Sequence, residues 1–463
     1  MFRRLWTGLP DTPKFPADLE KLGYFVNEED QIRNIKDPKY YFKYFIDRNM
    51  YYNDSQRFSF TAVQRIVFGR LATLGLRPVR LPLGVREDEP HLLVLATEDL
   101  ATADRVLLFV GETAQDLGIL AHRVVGGGGG IEQGSILSMV RQIRGPEAVA
   151  AAAAATSKTS VPAVLIANPS ELFWWPDAHR SLSLPAVEGM PRPSAAHLAP
   201  RKFPGRNTIP GHETAEAHVA SVFKELLARD DSNDNAPSPR ITAIAIAGGA
   251  DALETFLDDA DHWQRWGPHM DSLVVLGGLY EEHRIKTDAF RAFLRQRGRA
   301  YIASEAPVDT PIAGPDGNSQ AARATRFGCP VHSAGTSWLT ELMFIEAQGS
   351  ILAWGSMVAA DRSYVNANID ITYAETILGQ DDTTWANYNE EEHDGPSWGE
   401  ASDKNMADVD EDKENVGVSG PAKGDGDGVS KDGMAVVSGT DGVEGGTVDA
   451  IKEKLAEVSL TDI

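Results

Sequence analysis

The chain has 463 residues, of which 42% are hydrophobic, so it is long enough for a large core and for two to three domains. Its net charge of −23 is uneven, because residues 381–463 hold 22 acidic and 6 basic side chains, a net of −16, which leaves −7 for residues 1–380. This balance disfavours unassisted binding to DNA or RNA, and the single cysteine, Cys329, excludes an internal disulfide and a cysteine-rich zinc site.

Residues 1–90 are predicted to form an N-terminal arm and helices that pack on the core. Aromatic side chains are dense before residue 60, and Pro10, Pro13 and Pro16 favour an extended start. Apolar residues at helical spacing predict a helix over 55–75. No apolar run approaches the length of a membrane span, and the N-terminus lacks a secretory signal, so we expect a protein of the nucleus and cytoplasm.

Residues 91–375 alternate strand-like and helical segments, which predicts an α/β domain with a doubly wound, mostly parallel sheet. Most of the strand-like runs are almost entirely apolar, as expected of strands that are covered on both faces. The predicted strands lie at 91–97, 105–112, 161–169, 240–249, 272–278 and 299–305. The predicted helices lie at 113–125, 134–144, 214–229, 251–258, 286–297 and 338–355.

Residues 145–160 and 230–239 are predicted to be mobile surface loops, and residues 380–463 a disordered acidic tail. The tail is rich in Gly, Asp and Ser and poor in large apolar residues, so it cannot bury a core. Within it, apolar side chains at helical spacing over 447–460 indicate either a short partner-binding helix or transient structure.

The segment 241–257 has the form of a hydrolase nucleophile turn without its nucleophile. In α/β-hydrolases the strand-to-helix turn carries G-x-S-x-G. When Gly248 and Gly249 are placed on its glycines, the serine position falls on Ile246, or on Ala247 after a shift of one residue. Neither side chain can attack a carbonyl group.

Ser333, in the segment Val331–Gly335, is the alternative nucleophile, for a serine esterase or lipase. Its only downstream histidine is His393, in the acidic tail, whereas the hydrolase order is Ser, then Asp or Glu, then His. In a more coherent mapping, Asp309 and His332 occupy vestigial acid and histidine positions, with structural or binding roles. Clustered arginines, among them Arg291, Arg295, Arg297 and Arg299, leave RNA binding as a third alternative.

No metal or cofactor site is expected. The run Gly126–Gly130 lacks the G-K-[ST] of a phosphate loop and is interpreted as a hinge. His212 and His218 are six residues apart rather than four, so they do not fit H-E-x-x-H, and a surface helix start is the simpler interpretation.

Several segments of the chain together resemble the Argonaute-binding-protein-two (Arb2) domain family. They are the opening residues 1–33, residues 104–136, residues 164–176 and His332-Ser-Ala-Gly-Thr336. The resemblance covers about residues 1–370. Some relatives keep a serine at the turn and a histidine–glutamate pair after S-A-G-T, whereas this chain has Ile246 in the serine position and Leu339 and Thr340, followed by Glu341, after the motif.

The resemblance implies an α/β-hydrolase-like domain that acts with the Argonaute siRNA chaperone complex in small-RNA-directed heterochromatin formation and gene silencing. Its partners would be Argonaute-associated silencing proteins and chromatin modifiers, with small RNA reached indirectly and no membrane. We therefore expect a non-catalytic scaffold. In α/β sheets, ligands bind in the crevice at the carboxyl ends of the strands. The binding candidates near that crevice are Glu112, Asn168, Glu171, Trp174, Gly248, Gly249 and His332.

Overall fold

The computed structural model describes residues 15–42, 61–154, 161–190, 201–229, 238–321, 323–336, 339–369 and 371. Much of the predicted aromatic arm, most of the loop at 230–239 and the acidic tail with its segment 447–460 lie outside these residues. The predictions for those segments therefore remain predictions.

A nine-stranded, mostly parallel sheet forms the centre of the described fold. Its strands are β3 (Leu76–Leu81), β4 (Leu92–Thr97), β5 (Arg105–Val110), β6 (Ala163–Ala167), β9 (Arg240–Ile246), β10 (Met270–Leu276), β11 (Gly298–Ile302), β12 (Pro311–Ala313) and β13 (Val331–Ser333). Across the sheet their order is β12-β13-β11-β10-β9-β5-β6-β4-β3. Neighbouring strands are parallel across the middle of the sheet, in the order β6-β5-β9-β10-β11-β13. At the two edges, β3, β4 and β12 are antiparallel to their neighbours.

Two short hairpins complete the described strands. One consists of β1 (Tyr24–Val26) and β2 (Ile32–Asn34), and the other of β7 (Phe173–Trp175) and β8 (Arg180–Leu182). The turn between β1 and β2 packs on the glycine run, since Ile131 N–H donates to the Asp30 carbonyl over 3.0 Å. A Cβ on Gly130 would lie 2.5 Å from that same oxygen. The predicted hinge is thus a contact surface for the hairpin.

Helices cover both faces of the sheet. One face carries α1 (Thr61–Thr73), α4 (Leu137–Arg144) and α11 (Thr340–Ala360), and the other carries α7 (Ala215–Val222), α8 (Gly248–Leu257), α9 (Ala260–Trp266) and α10 (Asp288–Arg297). The remaining α-helices of the described residues are α2 (His122–Val125), α3 (Gly130–Gln133), α5 (Pro146–Ala154) and α6 (Leu184–Glu188), and a π-helical turn, Phe223–Leu227, extends α7. Each face of the sheet buries its own apolar core.

All six predicted strands are present, but three other predictions were wrong in part. Residues 113–125 form turns rather than a helix, except for the four residues of α2, because Leu120 and Ala121 N–H donate to the Gly134 carbonyl. Residues 146–154 of the predicted loop form α5, as their alanines favour. The sheet begins at β3, inside the segment assigned to the arm.

The helix α11 is long and apolar enough to cross a membrane by length and composition. In this fold it lies on the sheet, where Phe344 packs edge-on against Phe109 of β5, with ring centroids 5.1 Å apart. Half of its most apolar window is buried, as in a core helix of an α/β domain.

Candidate functional site

A strained bend joins β9 to α8 at the carboxyl end of the sheet. Its residue is Ala247, with φ +47° and ψ −122°, a conformation that non-glycine residues rarely adopt. The Ala247 N–H donates to the Leu276 carbonyl over 2.8 Å, and its own carbonyl accepts from Ala250 and Asp251. Ile246 is the last residue of β9 and is buried. Of the two positions that the sequence allowed, Ala247 therefore stands at the bend.

The two positions after the bend require glycine, because neighbouring atoms leave no room for a Cβ. A Cβ on Gly249 would lie 2.1 Å from the Gly111 carbonyl oxygen, and one on Gly248 would lie 2.6 Å from Thr113 Oγ1. The start of α8 thus packs directly on the loop that follows β5. Both glycines belong to the framework of the crevice, and neither offers a side chain to a ligand.

Two carboxylates flank this loop. Glu112 follows β5, and Glu341 lies in the first turn of α11, where Gln115 Nε2 donates to Glu341 Oε2 over 3.5 Å. Burial, followed by the charge of Glu341, raises the pKa of Glu112, while the Gln115 side chain opposes this effect. Arg123 approaches the other oxygen of Glu341 at 3.6 Å. The crevice is therefore acidic, with one exposed guanidinium at its margin.

The same crevice has an apolar margin. Leu279, in the loop after β10, is 73% exposed, and its N–H donates to Asp251 Oδ1 over 2.7 Å. A nearby cleft at the ends of β5 and β6, which Glu112 and Asn168 help to line, has a volume of about 20 Å³. A volume of that size holds about one water molecule. This part of the crevice suits surface contact better than capture of a small molecule.

Asn168 and Glu171, two of the binding candidates, belong to a buried polar network beneath the crevice. The Asn168 side chain donates to the Leu93 carbonyl over 2.9 Å and to Glu171 Oε2 over 3.1 Å. Glu171 Oε1 accepts from Leu117 N–H over 2.9 Å and from Gln64 Nε2 over 3.0 Å. Burial and the neighbouring Asp116 raise the pKa of the Glu171 carboxyl. These contacts join α1, β4 and the loop after β6, which is a structural role.

A buried histidine pair extends this network. The Asn168 N–H donates to His218 Nε2 over 2.9 Å, so His218 carries its proton on Nδ1, which lies 3.0 Å from His212 Nδ1. His212 must then accept there and hold its own proton on Nε2, which has no hydrogen-bond partner among the described residues. Burial lowers the pKa of His212 to about 4. The interpretation of these histidines as a surface helix start was wrong.

Trp174 is also part of the core. Its ring lies 4.9 Å from that of His91, and its carbonyl accepts from the Asn207 side chain over 2.9 Å. Since only 2% of its surface is exposed, Trp174 offers little to a partner.

Asp309 and His332 lie together, but far from the bend. Asp309 Oδ1 accepts from the Tyr301 hydroxyl over 2.7 Å and from Arg299 Nη1 over 2.8 Å. His332 is a residue of β13, and burial, followed by the charge of Arg299, lowers its pKa to about 4, which Asp309 opposes. The strand register places His332 level with Tyr301 of β11, Leu276 of β10 and Ile246 of β9. His332 is therefore three strand spacings, or roughly 14 Å, from Ile246. His332 is thus a neutral core histidine, remote from Ala247.

Ser333 has no exposed hydroxyl. It lies within β13, is fully buried, and donates to the Ala306 carbonyl over 2.7 Å. Its Oγ also accepts from Gly335 N–H over 3.0 Å. Successive residues of a strand point to opposite faces, so the adjacent His332 cannot serve as its base.

The arginine cluster of α10 and β11 is engaged within the protein. Arg291 pairs with Asp288, Arg295 with Asp316, and Arg299 with Asp309, while Arg297 donates to five backbone carbonyls. Among the described residues, no group of three or more His, Cys, Asp or Glu side chains could hold a metal ion. The geometry therefore offers RNA little unpaired charge at this cluster.

The family model of the Arb2 domain matches residues 15–308. Neither the curated proteins nor the solved structures give a significant match.

Proposed function

Because this chain belongs to the Arb2 domain family, we propose that it is a non-catalytic, α/β-hydrolase-like interaction scaffold in small-RNA-directed gene silencing. It acts in the nucleus and cytoplasm with Argonaute-associated proteins and chromatin modifiers, and it reaches small RNA through them. Family membership supports the silencing context, and the described site supports the non-catalytic role.

The strand order supports a hydrolase-like fold. When the two hairpins and β12 are left out, the sheet has eight strands, from β3 to β13. Taken in chain order, these strands occupy positions 1-2-4-3-5-6-7-8, counted across the sheet from β3. Only the second strand, β4, is antiparallel to the strands on both of its sides. The strained bend follows the fifth of these strands. A sharp turn between a strand and a helix at the top of the sheet is where α/β-hydrolases carry the nucleophile.

The methyl group of Ala247 is the observation that carries the non-catalytic role. Covalent acyl transfer needs a hydroxyl or thiol at the bend and a base within hydrogen-bond reach. Ala247 supplies neither group, Ser333 is sealed in β13, and His332 is three strands away. In hydrolases this strained backbone exposes the nucleophilic side chain. This chain has the strained backbone but lacks that side chain.

The crevice beside this bend is the docking surface that we propose. Leu279 offers an exposed apolar side chain, while Glu112 and Glu341 offer two closely spaced carboxylates. A complementary partner surface would present an apolar residue beside a lysine or arginine.

Affinity capture of the full chain from cells, followed by mass spectrometry, tests this proposal. We expect Argonaute-associated proteins with the wild type, and their loss with Leu279→Asp. Leu184→Asp is the matched control, because Leu184 is 66% exposed but lies in α6, after the β7–β8 hairpin. Capture without any silencing protein would overturn the silencing role. Equal capture by Leu279→Asp would move the docking surface away from the crevice.

A further inference from the structure

The β7–β8 hairpin, α6 and the loop at 201–206 surround an apolar pocket with a volume of about 190 Å³. The loop is attached to the hairpin through Asn207, whose side chain donates to the Trp174 carbonyl over 2.9 Å and whose carbonyl accepts from Trp174 N–H over 3.1 Å. A cavity of about 150 Å³ holds a benzene ring, so this hairpin pocket has room for one large apolar side chain. Its apolar walls include Phe173, Leu182, Leu184 and Val187.

The loop at 201–206 places positive charge beside the hairpin pocket. Lys202 lines the pocket, and Arg201 and Arg206 are exposed in the same loop. The Lys202 ammonium donates to the Glu213 backbone carbonyl over 3.4 Å, and none of the three cations forms an ion pair with a described residue. Apolar surface and uncompensated positive charge therefore lie together, in a chain whose net charge is −23.

The end of the acidic tail complements this surface. Residues 381–463 have a net charge of −16, and within them residues 447–460 carry apolar side chains at helical spacing. These side chains are Val448, Ile451, Leu455 and Val458. A segment with one apolar face binds by placing such residues in a hydrophobic groove, and opposite charges on the two surfaces favour the correct pairing.

The tail is also long enough to reach the hairpin pocket. Residues 372–446 separate the segment from Ile371, the last described residue. A flexible chain of that length spans roughly 50 Å on average, whereas a compact domain of about 370 residues has a radius of gyration of roughly 21 Å. The linker therefore allows the segment to reach any face of the domain.

We propose that the hairpin pocket binds residues 447–460 of the same chain. One apolar side chain of the segment fills the pocket, and the loop at 201–206 attracts the carboxylates around it. Because the segment is tethered to the domain, its effective concentration at the pocket is high without a second molecule. This contact lies apart from the crevice proposed above for Argonaute-associated proteins, and it goes beyond that function.

Cross-linking within the full chain tests the proposal, because the one native cysteine, Cys329, is buried. The test protein carries Leu184→Cys and Ala456→Cys, and a short bis-maleimide joins the two thiols. The matched control carries Leu279→Cys and Ala456→Cys, since Leu279 is as exposed as Leu184 but lies after β10. We expect the internal cross-link to form about tenfold faster in the test protein, because docking concentrates the segment at α6.

Two further substitutions in the test protein separate docking from chance encounter. Leu455→Asp should slow the cross-link to the control rate, because it places a charge on the apolar face. Lys202→Glu should also slow it, by repelling the acidic segment. Lys286→Glu is the control for this reversal, because Lys286 is an exposed lysine in the loop after β10, and it should leave the rate unchanged.

Several results would overturn the proposal. Equal rates in the test and control proteins, or a faster cross-link at Leu279→Cys, would show that the segment does not dock at the hairpin pocket. A rate that either Leu455→Asp or Lys202→Glu leaves unchanged would show that neither apolar contact nor charge directs it there. Cross-linked dimers in place of the internal link, in dilute protein, would assign the pocket to the tail of a second copy.

Discussion

The backbone of Gly249 lies so close to Gly111 that a Cβ on Gly249 would stand 2.1 Å from the Gly111 carbonyl oxygen. This contact seats the first turn of α8 against the loop after β5, and so fixes the position of the Ala247 bend above the sheet. The double glycine is therefore required by packing, whether or not the bend carries a nucleophile.

Gly249→Ala should lower the free energy of unfolding by about 3 kcal/mol, because backbone must move to relieve the overlap. Gly349→Ala is the matched control. Gly349 is an exposed position of α11 with open space around its Cα, so alanine there should raise stability by up to about 1 kcal/mol through helix propensity. Urea unfolding of both variants measures the difference, and equal effects would contradict the contact.

Ala247→Ser should not create a serine hydrolase. The hydroxyl would stand at the bend, but the described structure places His332 three strands away, and burial lowers its pKa to about 4, which makes it a weak base. We expect no labelling by a fluorophosphonate probe in either the variant or the wild type. Labelling of Ala247→Ser alone would show that a base stands close to the bend. Labelling of the wild type that Ser333→Ala abolishes would establish the esterase alternative.

The sheet could be predicted from the sequence because its central strands are continuous apolar runs, a pattern set by burial on both faces. Segments whose conformation depends on tertiary contacts could not be predicted from the sequence. Residues 113–125 have helical spacing, yet Gly118 has a positive φ and Ile136 N–H donates to its carbonyl, which makes the segment a loop held by its neighbour. The edge strand β12 and its neighbour β13 are three residues long, too short for a periodic signal.

The site was predictable only in part, for a similar reason. The missing nucleophile was visible in the residues around Gly248, although the conformation of Ala247 decides which residue occupies the bend. Asn168 and Trp174 were reasonable binding candidates by position, but burial makes them structural.

Stability should fall as the pH drops from about 6.5 towards 4, and His212 should account for part of the loss. Burial depresses the pKa of folded His212 from 6.5 to about 4, so the unfolded chain takes up the proton first as the pH falls. This difference removes roughly 2 kcal/mol of stability by pH 5. His212→Gln should reduce the loss between pH 7.5 and pH 5 in urea unfolding, whereas His283→Gln, at an exposed position, should not. An identical pH dependence in His212→Gln and the wild type would contradict this assignment.

Arg297 joins α10 to the end of α11. Its guanidinium donates to the carbonyls of Asp271, Val358, Asp361, Arg362 and Tyr364. Arg297→Met should therefore lower the free energy of unfolding by about 3 kcal/mol, because five carbonyls lose a charged donor, and two of them, Val358 and Asp361, stand at the C-terminus of α11.

Arg297→Lys should recover only a minor part of that loss, since an ammonium group has three donors and lacks the planar fork. Hydrogen exchange in residues 361–369 should accelerate in both variants, because the segment loses its anchor. Arg123→Met is the control: Arg123 is exposed and makes one long ion pair with Glu341, so its change should stay within about 0.5 kcal/mol. Full rescue by lysine would show that charge alone, rather than the fork of donors, holds the end of α11 in place.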